Sequence, residues 1–135
     1  MIGLDTNVLI RYLVQDDEAQ AETANHFIES KCSEECPGFI NHIVLCEVCW
    51  VLATAYKQKR SDIANVIACL LQVRQLEIQE ASVVWRALSD FRDSNADFSD
   101  HLIAHSNQLR GCVATVTFDK KAAKLLPMRN VADML

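Results

Sequence analysis

Met1-Ile-Gly-Leu-Asp5-Thr-Asn-Val-Leu-Ile10-Arg-Tyr12 opens the chain, and the fold class follows from how these residues are read. Ile2-Gly3-Leu4 is a short apolar run. Asp5-Thr6-Asn7 comes at once, then Val8-Leu9-Ile10 with Leu13-Val14. This order predicts a buried strand that ends at Asp5 and passes directly into a helix over Thr6 to Val14. Asp5 then stands at the carboxyl end of a strand and beside a helix N-terminus. Open parallel sheets bind their ligands at that edge.

Working outward, the same alternation recurs. Asp16-Asp17-Glu18 has the acidic residues of a helix start, and that helix is expected to end near Ser30-Lys31. A loop through Cys36-Pro37 leads to a strand at Gly38-Phe39-Ile40. Asn41-His42 starts a helix expected to reach about Lys59, and Ser61-Asp62 starts the next. Leu76-Glu77-Ile78-Gln79 alternates with period 2, as a strand does. Ala81 to Phe91 and Asp97 to Leu109 are predicted helices. Cys112-Val-Ala-Thr-Val116 is rich in β-branched residues and predicts a strand. Asp119 starts a short helix through Leu126, Pro127 stops it, and Met128 to Val131 is a last strand. Strands alternating with helices imply right-handed crossovers and a mainly parallel sheet between helical layers, an α/β/α sandwich.

Composition narrows the class. A chain of 135 residues, half of them hydrophobic, is expected to form one domain, 1–135, with a sizeable core. No apolar run approaches the roughly 20 residues of a membrane span. No basic region precedes an apolar stretch and a cleavage site at the N-terminus, so a cytoplasmic protein with no membrane partner is expected. The net charge of −5 is unlike that of a protein gripping nucleic acid by phosphate neutralisation alone. Either nucleic acid is not the partner, or cations supply positive charge locally. Cys32-x3-Cys36 and Cys46-x2-Cys49 could be two halves of a zinc site. However, Cys46 and Cys49 lie in the apolar run Val44 to Tyr56, and Cys69 and Cys112 sit among aliphatic residues, as buried free thiols do.

The acidic residues carry the chemistry. Asp5 and Asp119 each follow a predicted strand. Asp97 and Asp100 are three apart at a helix start and share a face. Glu47 sits in Val44-Leu-Cys-Glu-Val-Cys-Trp50, with Ile43 and Trp50 on or beside its face, so it is expected to meet a polar group inside the fold. Taken singly, Asp5 and Asp119 could be N-caps, Asp97-Phe-Ser-Asp100 resembles a capping box, and Glu47, on one helical face with Thr54, could be an ordinary exposed residue. Taken together, helices that follow parallel strands start on one edge, so Asp5 and Asp119 are expected to approach each other. Like charges gathered in a notch repel and raise one another's pKa. A hard cation such as Mg²⁺ or Mn²⁺ relieves this, and it can activate a water for attack on a phosphoryl group. Thr6, Asn7 and Thr117 at the same edge could position a water or a phosphate oxygen, or could cap. Arg11, Lys120 and Lys121 are the candidates for phosphate contacts. The cluster Lys57, Lys59 and Arg60 reads as solvated surface.

Four stretches together resemble the PIN domain family: Ile2-Gly-Leu-Asp5-Thr-Asn-Val-Leu-Ile10, Glu47 in its apolar helix, Ala96-Asp-Phe-Ser-Asp-His-Leu-Ile-Ala104, and Thr115-Val-Thr-Phe-Asp-Lys-Lys-Ala122. The likeness covers essentially the whole chain, and at this length it is closest to the VapC-type toxins of prokaryotic toxin–antitoxin pairs. The resemblance implies a metal-dependent endoribonuclease on an α/β/α sandwich. Asp5, Glu47, Asp100 and Asp119 would then be the catalytic acids and hold Mg²⁺ or Mn²⁺. Asp97 would be an accessory ligand, and which of Asp97 and Asp100 touches the metal stays open. It implies an RNA substrate, a cognate antitoxin of a type II pair, and a homodimer. His101 departs from the family pattern, and either substrate contact or packing would explain it.

Other readings share the fold. A nuclease of the same family acting in RNA processing is permitted by the motifs, though the short chain favours the toxin. A Mg²⁺-binding phosphoacceptor domain fits the size and the acidic pocket, but it lacks an acidic pair directly after the first strand. A partner-binding module without catalysis would not need every acid.

Overall fold

The computed structural model describes residues 1–125 and 127–135, so the expected end of a helix at Leu126 lies outside the described residues. The chain divides into two compact units, Met1–Ala81 and Ser82–Leu135.

In the first unit the opening turns from strand to helix where the sequence predicts. β1 (Ile2–Gly3) is followed by Asp5 in extended conformation, and α1 (Thr6–Val14) begins at the next residue. Leu9 and Ile10 are its buried positions. The expectation of a buried strand is corrected in part: Ile2 and Gly3 are exposed and only Leu4 is buried. α2 (Glu18–Lys31) is capped by Asp17, whose carboxylate accepts from the Gln20 N–H. β2 (Gly38–Ile40) lies between β1 and β3 (Leu76–Ile78), and both pairings are parallel. At Gly38 a Cβ would stand 2.8 Å from Leu4 Cδ1 and 3.2 Å from Cys32 Sγ. The strand packs this tightly because the residue there has no side chain.

The crossover from β2 to β3 consists of α3 (His42–Thr54) and α4 (Arg60–Gln72). Asn41 caps α3 by accepting the Val44 N–H at 2.8 Å. Val44, Leu45, Val48 and Leu52 form its buried side. The helix ends at Thr54 rather than near Lys59: the chain turns through Lys57 at φ +52°, and the Gln58 N–H bonds back to the Leu52 carbonyl. At the carboxyl edge of this sheet, Gln79 ties the strand ends together. Its N–H donates to the Ile40 carbonyl, its side-chain oxygen accepts the His42 N–H, and its own carbonyl lies 2.7 Å from His42 Nε2.

The second unit holds α5 (Ala81–Arg92, its first residue at the boundary), α6 (Phe98–Leu109) and the parallel pair β4 (Thr115–Thr117) and β5 (Met128–Asn130). Val84, Leu88 and Phe91 are buried on α5, as their spacing predicts. Phe98 meets Phe91 edge-to-face at 5.8 Å. Ala104, Ala122 and Met128 form a small cluster with Leu125 against it. The expected strand over Cys112–Val116 is corrected to Thr115–Thr117, and the helix expected after Asp119 is a single 3-10 turn, Ala122–Lys124. The fold is therefore mixed α/β with parallel strands and helical crossovers, paired as a sheet of three and a sheet of two.

All six cysteines are free. Cys32 is buried and Cys46 and Cys49 are half-buried. Cys69 and Cys112, expected to be buried, are exposed. Burial, together with neighbouring Cys46, pushes the Cys49 thiol up to about 12, which makes it a poor thiolate ligand at neutral pH. Among the described residues no helix is long and apolar enough to cross a membrane.

Candidate active site

The acids predicted from sequence fall into two groups, each within one unit. The first comprises Asp5, Thr6 and Glu47. Asp5 occupies the N-cap of α1 and its Oδ1 accepts the Thr6 N–H at 2.8 Å. The capping expectation is thus met, and the cap consumes one carboxylate oxygen. Glu47 projects from the exposed side of α3, flanked by Ile43 (72% exposed) and Trp50 (67% exposed). The expectation that it meets a polar group inside the fold is corrected: Glu47 is exposed, and its polar partner is the Thr6 hydroxyl, which donates to Oε1 at 3.0 Å. A residue 41 positions away therefore holds the glutamate.

Asn7 and Arg11 lie in the same unit but face other surroundings. Both line a largely apolar cavity of about 710 Å³ between β1, α1 and α2, with Leu4, Val8 and Phe27. Arg11 is committed there. Its Nε donates to Gln20 Oε1 at 2.6 Å, and its Nη1 pairs with Asp16 at 3.0 Å. Tyr56 donates to the other Asp16 oxygen at 2.9 Å. The Tyr56 hydrogen bond, with Arg11 beside it, lowers the Asp16 pKa. Arg11 thus clasps the turn between α1 and α2.

The second group is Asp97, Asp100 and Asp119, which line one cavity of about 400 Å³ together with Asn95, Ala96, Lys120 and Lys121. α6 positions the first two. Asp97 takes the N-cap place, but its side chain makes no cap hydrogen bond, so the capping-box expectation fails for that carboxylate. Asp100 lies on the first turn, half-buried. Burial raises its pKa first, the charges of Asp97 and Asp119 raise it further, and the backbone N–H of Asp97 offsets part of this. Asp119 follows β4. Its Oδ1 accepts the N–H groups of Lys121 and Ala122 at 2.8 and 3.0 Å, and its own N–H donates to Thr117 Oγ1 at 3.0 Å. Thr117 therefore shapes the turn that presents Asp119.

The two histidines of α6 are structural. His101 is 1% exposed, its Nε2 lies 2.6 Å from Ser94 Oγ, and its ring meets Phe91 edge-to-face at 6.5 Å. Packing, not substrate contact, accounts for it. His105 pairs with Asp90 of α5 at 2.6 Å.

A divalent ion can be tested against this donor set. Every candidate donor is a carboxylate or hydroxyl oxygen, the ligand type of a hard cation. Burial raises the Asp100 pKa first and the neighbouring Asp97 and Asp119 charges raise it further; a cation would offset that cost of ionisation. Among the described residues no three His, Cys, Asp or Glu side chains are already spaced to hold an ion together. The donor chemistry fits Mg²⁺ or Mn²⁺, and full coordination requires the carboxylates or bridging waters to close on the ion.

The family model described as PIN domain matches residues 2–125. A VapC ribonuclease of Aquifex aeolicus (strain VF5) is 25% identical over 122 residues, covering 90% of this chain and 90% of that protein.

Proposed function

The chain belongs to the PIN domain family, and we propose that it is a Mg²⁺- or Mn²⁺-dependent endoribonuclease, the toxin of a type II toxin–antitoxin pair. The observation that carries this reading is the cavity in which Asp97, Asp100 and Asp119 meet beside Lys120 and Lys121. Carboxylates suit a divalent ion, and adjacent ammonium groups suit the phosphates of a polyanion. Similarity to a VapC ribonuclease along nine-tenths of both chains supports the choice of RNA and of a toxin.

On this reading the whole chain, 1–135, works as one nuclease domain. Asp5, Glu47, Asp100 and Asp119 hold the ion directly or through water, and Asp97 assists. When bound, the ion supplies a water of lowered pKa and offsets charge on the scissile phosphate. Thr117 presents Asp119 and could orient the water or a phosphate oxygen through its hydroxyl, whereas Asn7 lines the cavity beside Leu4 and Val8 and could do so only by turning from it. Lys120 and Lys121 draw the RNA backbone to an otherwise acidic protein. Arg11 contributes to phosphate binding only by exchanging its Asp16 partner for the substrate. The exposed Ile43 and Trp50 on α3 support an apolar partner face, in keeping with a cognate antitoxin and a homodimer in the cytoplasm.

The deciding experiment is RNA cleavage by the purified protein with Mg²⁺, with EDTA, and with Asp5→Asn. Cleavage is expected only with the metal and the native carboxylate. Cleavage that persists in EDTA or in Asp5→Asn would overturn the reading. Reversing both lysines, Lys120→Glu with Lys121→Glu, should weaken RNA binding and flatten its dependence on salt by a slope of roughly two. Binding that is unchanged across a salt series would remove these residues from the interface.

A further inference from the structure

We infer that Thr6 is a positioning residue for the metal site: it sets the Asp5 and Glu47 carboxylates in place and does not itself touch RNA. The inference rests on the nuclease reading above and assigns Thr6 a different task from the water-holding one its sequence position suggests. Thr6 contacts both acids with two separate groups. Its backbone N–H donates to Asp5 Oδ1 at 2.8 Å, and its side-chain hydroxyl donates to Glu47 Oε1 at 3.0 Å. One residue thereby engages one oxygen of each carboxylate and leaves Asp5 Oδ2 and Glu47 Oε2 for a cation.

The two contacts differ in what they depend on. The Asp5 contact is made by the backbone at the first turn of α1, so any residue at position 6 that keeps the helix keeps it. The Glu47 contact needs a hydroxyl on that particular side chain. Glu47 is exposed on α3, between the exposed Ile43 and Trp50. A glutamate side chain with no partner there samples many rotamers, and ordering it costs free energy when a ligand binds. The Thr6 hydroxyl restricts it before any ion arrives. A single hydroxyl proton has one acceptor at a time, so the hydroxyl that orients Glu47 is not also donating to a phosphate oxygen.

Hydrogen-bond partners of metal-binding carboxylates typically change metal affinity by about 10- to 100-fold when removed. The test is Mn²⁺ binding by the full chain without RNA, followed by calorimetry and by the electron paramagnetic resonance signal of free Mn²⁺. Five variants are compared with wild type: Asp5→Asn, Thr6→Val, Thr6→Ser, Glu47→Gln, and Thr6→Val combined with Glu47→Gln. Thr6→Val is expected to weaken binding about tenfold, and Thr6→Ser to stay within about twofold of wild type. Thr6→Val is expected to add nothing further once Glu47→Gln is present, because the two act as one unit. Thr6→Ala stands in should Val disturb the first turn of α1, judged by circular dichroism.

Wild-type affinity in Thr6→Val or Thr6→Ala, or losses that simply multiply in the double variant, would overturn the positioning role while leaving the nuclease reading intact. Mn²⁺ binding in wild type no tighter than in Asp5→Asn and Glu47→Gln would overturn both. The single-turnover rate provides a further check. A residue that acts through Glu47 should lower the rate at saturating RNA and leave RNA affinity within about twofold in EDTA. A drop in EDTA-independent RNA affinity would instead mark Thr6 as a substrate contact and overturn the proposal.

Discussion

Each compact unit carries an acidic cluster, and the two manage their charge differently. In the first, a hydrogen-bond donor stands between the carboxylates: Thr6 gives its N–H to Asp5 and its hydroxyl to Glu47. In the second, Asp97, Asp100 and Asp119 share one cavity, and burial with mutual repulsion raises the Asp100 pKa. Backbone N–H groups relieve Asp119 on one oxygen only. The first cluster is thus set in position by hydrogen bonds from one residue. The second retains strain of a kind that an external cation removes. The difference teaches that two acidic clusters of one chain can be built in different ways, one with its carboxylates held by a shared donor and the other with carboxylates that crowd one another.

The largest expected effect tests whether both clusters serve one reaction. Asp5→Asn, Asp119→Asn and Asp100→Asn should each lower single-turnover RNA cleavage by about a hundredfold or more, the scale on which positioned catalytic groups act. A pair drawn from both clusters should cost far less than the product of the two single losses, because groups acting as a unit are not additive. Full activity in either Asp5→Asn or Asp119→Asn would break the comparison by showing that one cluster works alone.

Stability probes separate the scaffolds that hold the two clusters. α6, which carries Asp97 and Asp100, is anchored by buried Phe98 against Phe91. Phe98→Ala is expected to cost about 3–5 kcal/mol in urea unfolding. In the first unit, Gly38→Ala would press a methyl group to 2.8 Å from buried Leu4 Cδ1, just ahead of Asp5. The expected cost is smaller, about 1–3 kcal/mol, because a side-chain end can shift where a backbone cannot. A Gly38→Ala loss exceeding that of Phe98→Ala would mean that the Asp5 scaffold is the more rigid of the two.

How much of this was legible depended on how local the determining contacts are. α1 and β2 match their expected limits, Thr6–Val14 and Gly38–Ile40, because caps and apolar runs act over a few residues. α3 was expected to run on to about Lys59 because Ala55-Tyr-Lys-Gln-Lys contains no Gly or Pro to stop it. The chain instead turns through a left-handed Lys57, and the Gln58 N–H bonds back to the Leu52 carbonyl. β4 was expected from β-branched composition over Cys112–Val116, but a strand is defined by its partner, and Met128–Asn130 pairs only with Thr115–Thr117. The candidate acids could be found by their places at strand ends and helix starts. What holds them could not. The Thr6–Glu47 bond spans 41 positions, and the Ser94 contact that explains His101 depends on how the turn before α6 folds back. The clasp of Arg11 by Asp16 and Gln20 was likewise hidden, since an arginine near a predicted site looks the same in sequence whether free or paired.

The smallest effect sharpens the contrast most directly, because it concerns a single carboxyl of the second cluster. The Asp100 carboxyl is raised above its ordinary value of 3.8 by burial first and then by Asp97 and Asp119. The native state therefore holds its proton more readily than the unfolded chain. That contribution favours folding in full below the unfolded value and is lost as pH rises through the higher folded one. Ionising Asp100 above that range works against its burial and its acidic neighbours. Asp100→Asn should then be as stable as wild type or melt a degree or two higher in EDTA at pH 7. The gain should disappear on titration into the acid range, where the wild-type carboxyl is protonated and resembles the amide. Mg²⁺ should reverse the order, because an ion that binds the folded wild type stabilises it by mass action, while the amide has surrendered a charged ligand. A variant that melts lower than wild type at neutral pH in EDTA would show that Asp100 is stabilised by its backbone contact more than it is strained by its neighbours. The two clusters would then differ only in their donors, with the demand for a cation resting on Asp97 and Asp119.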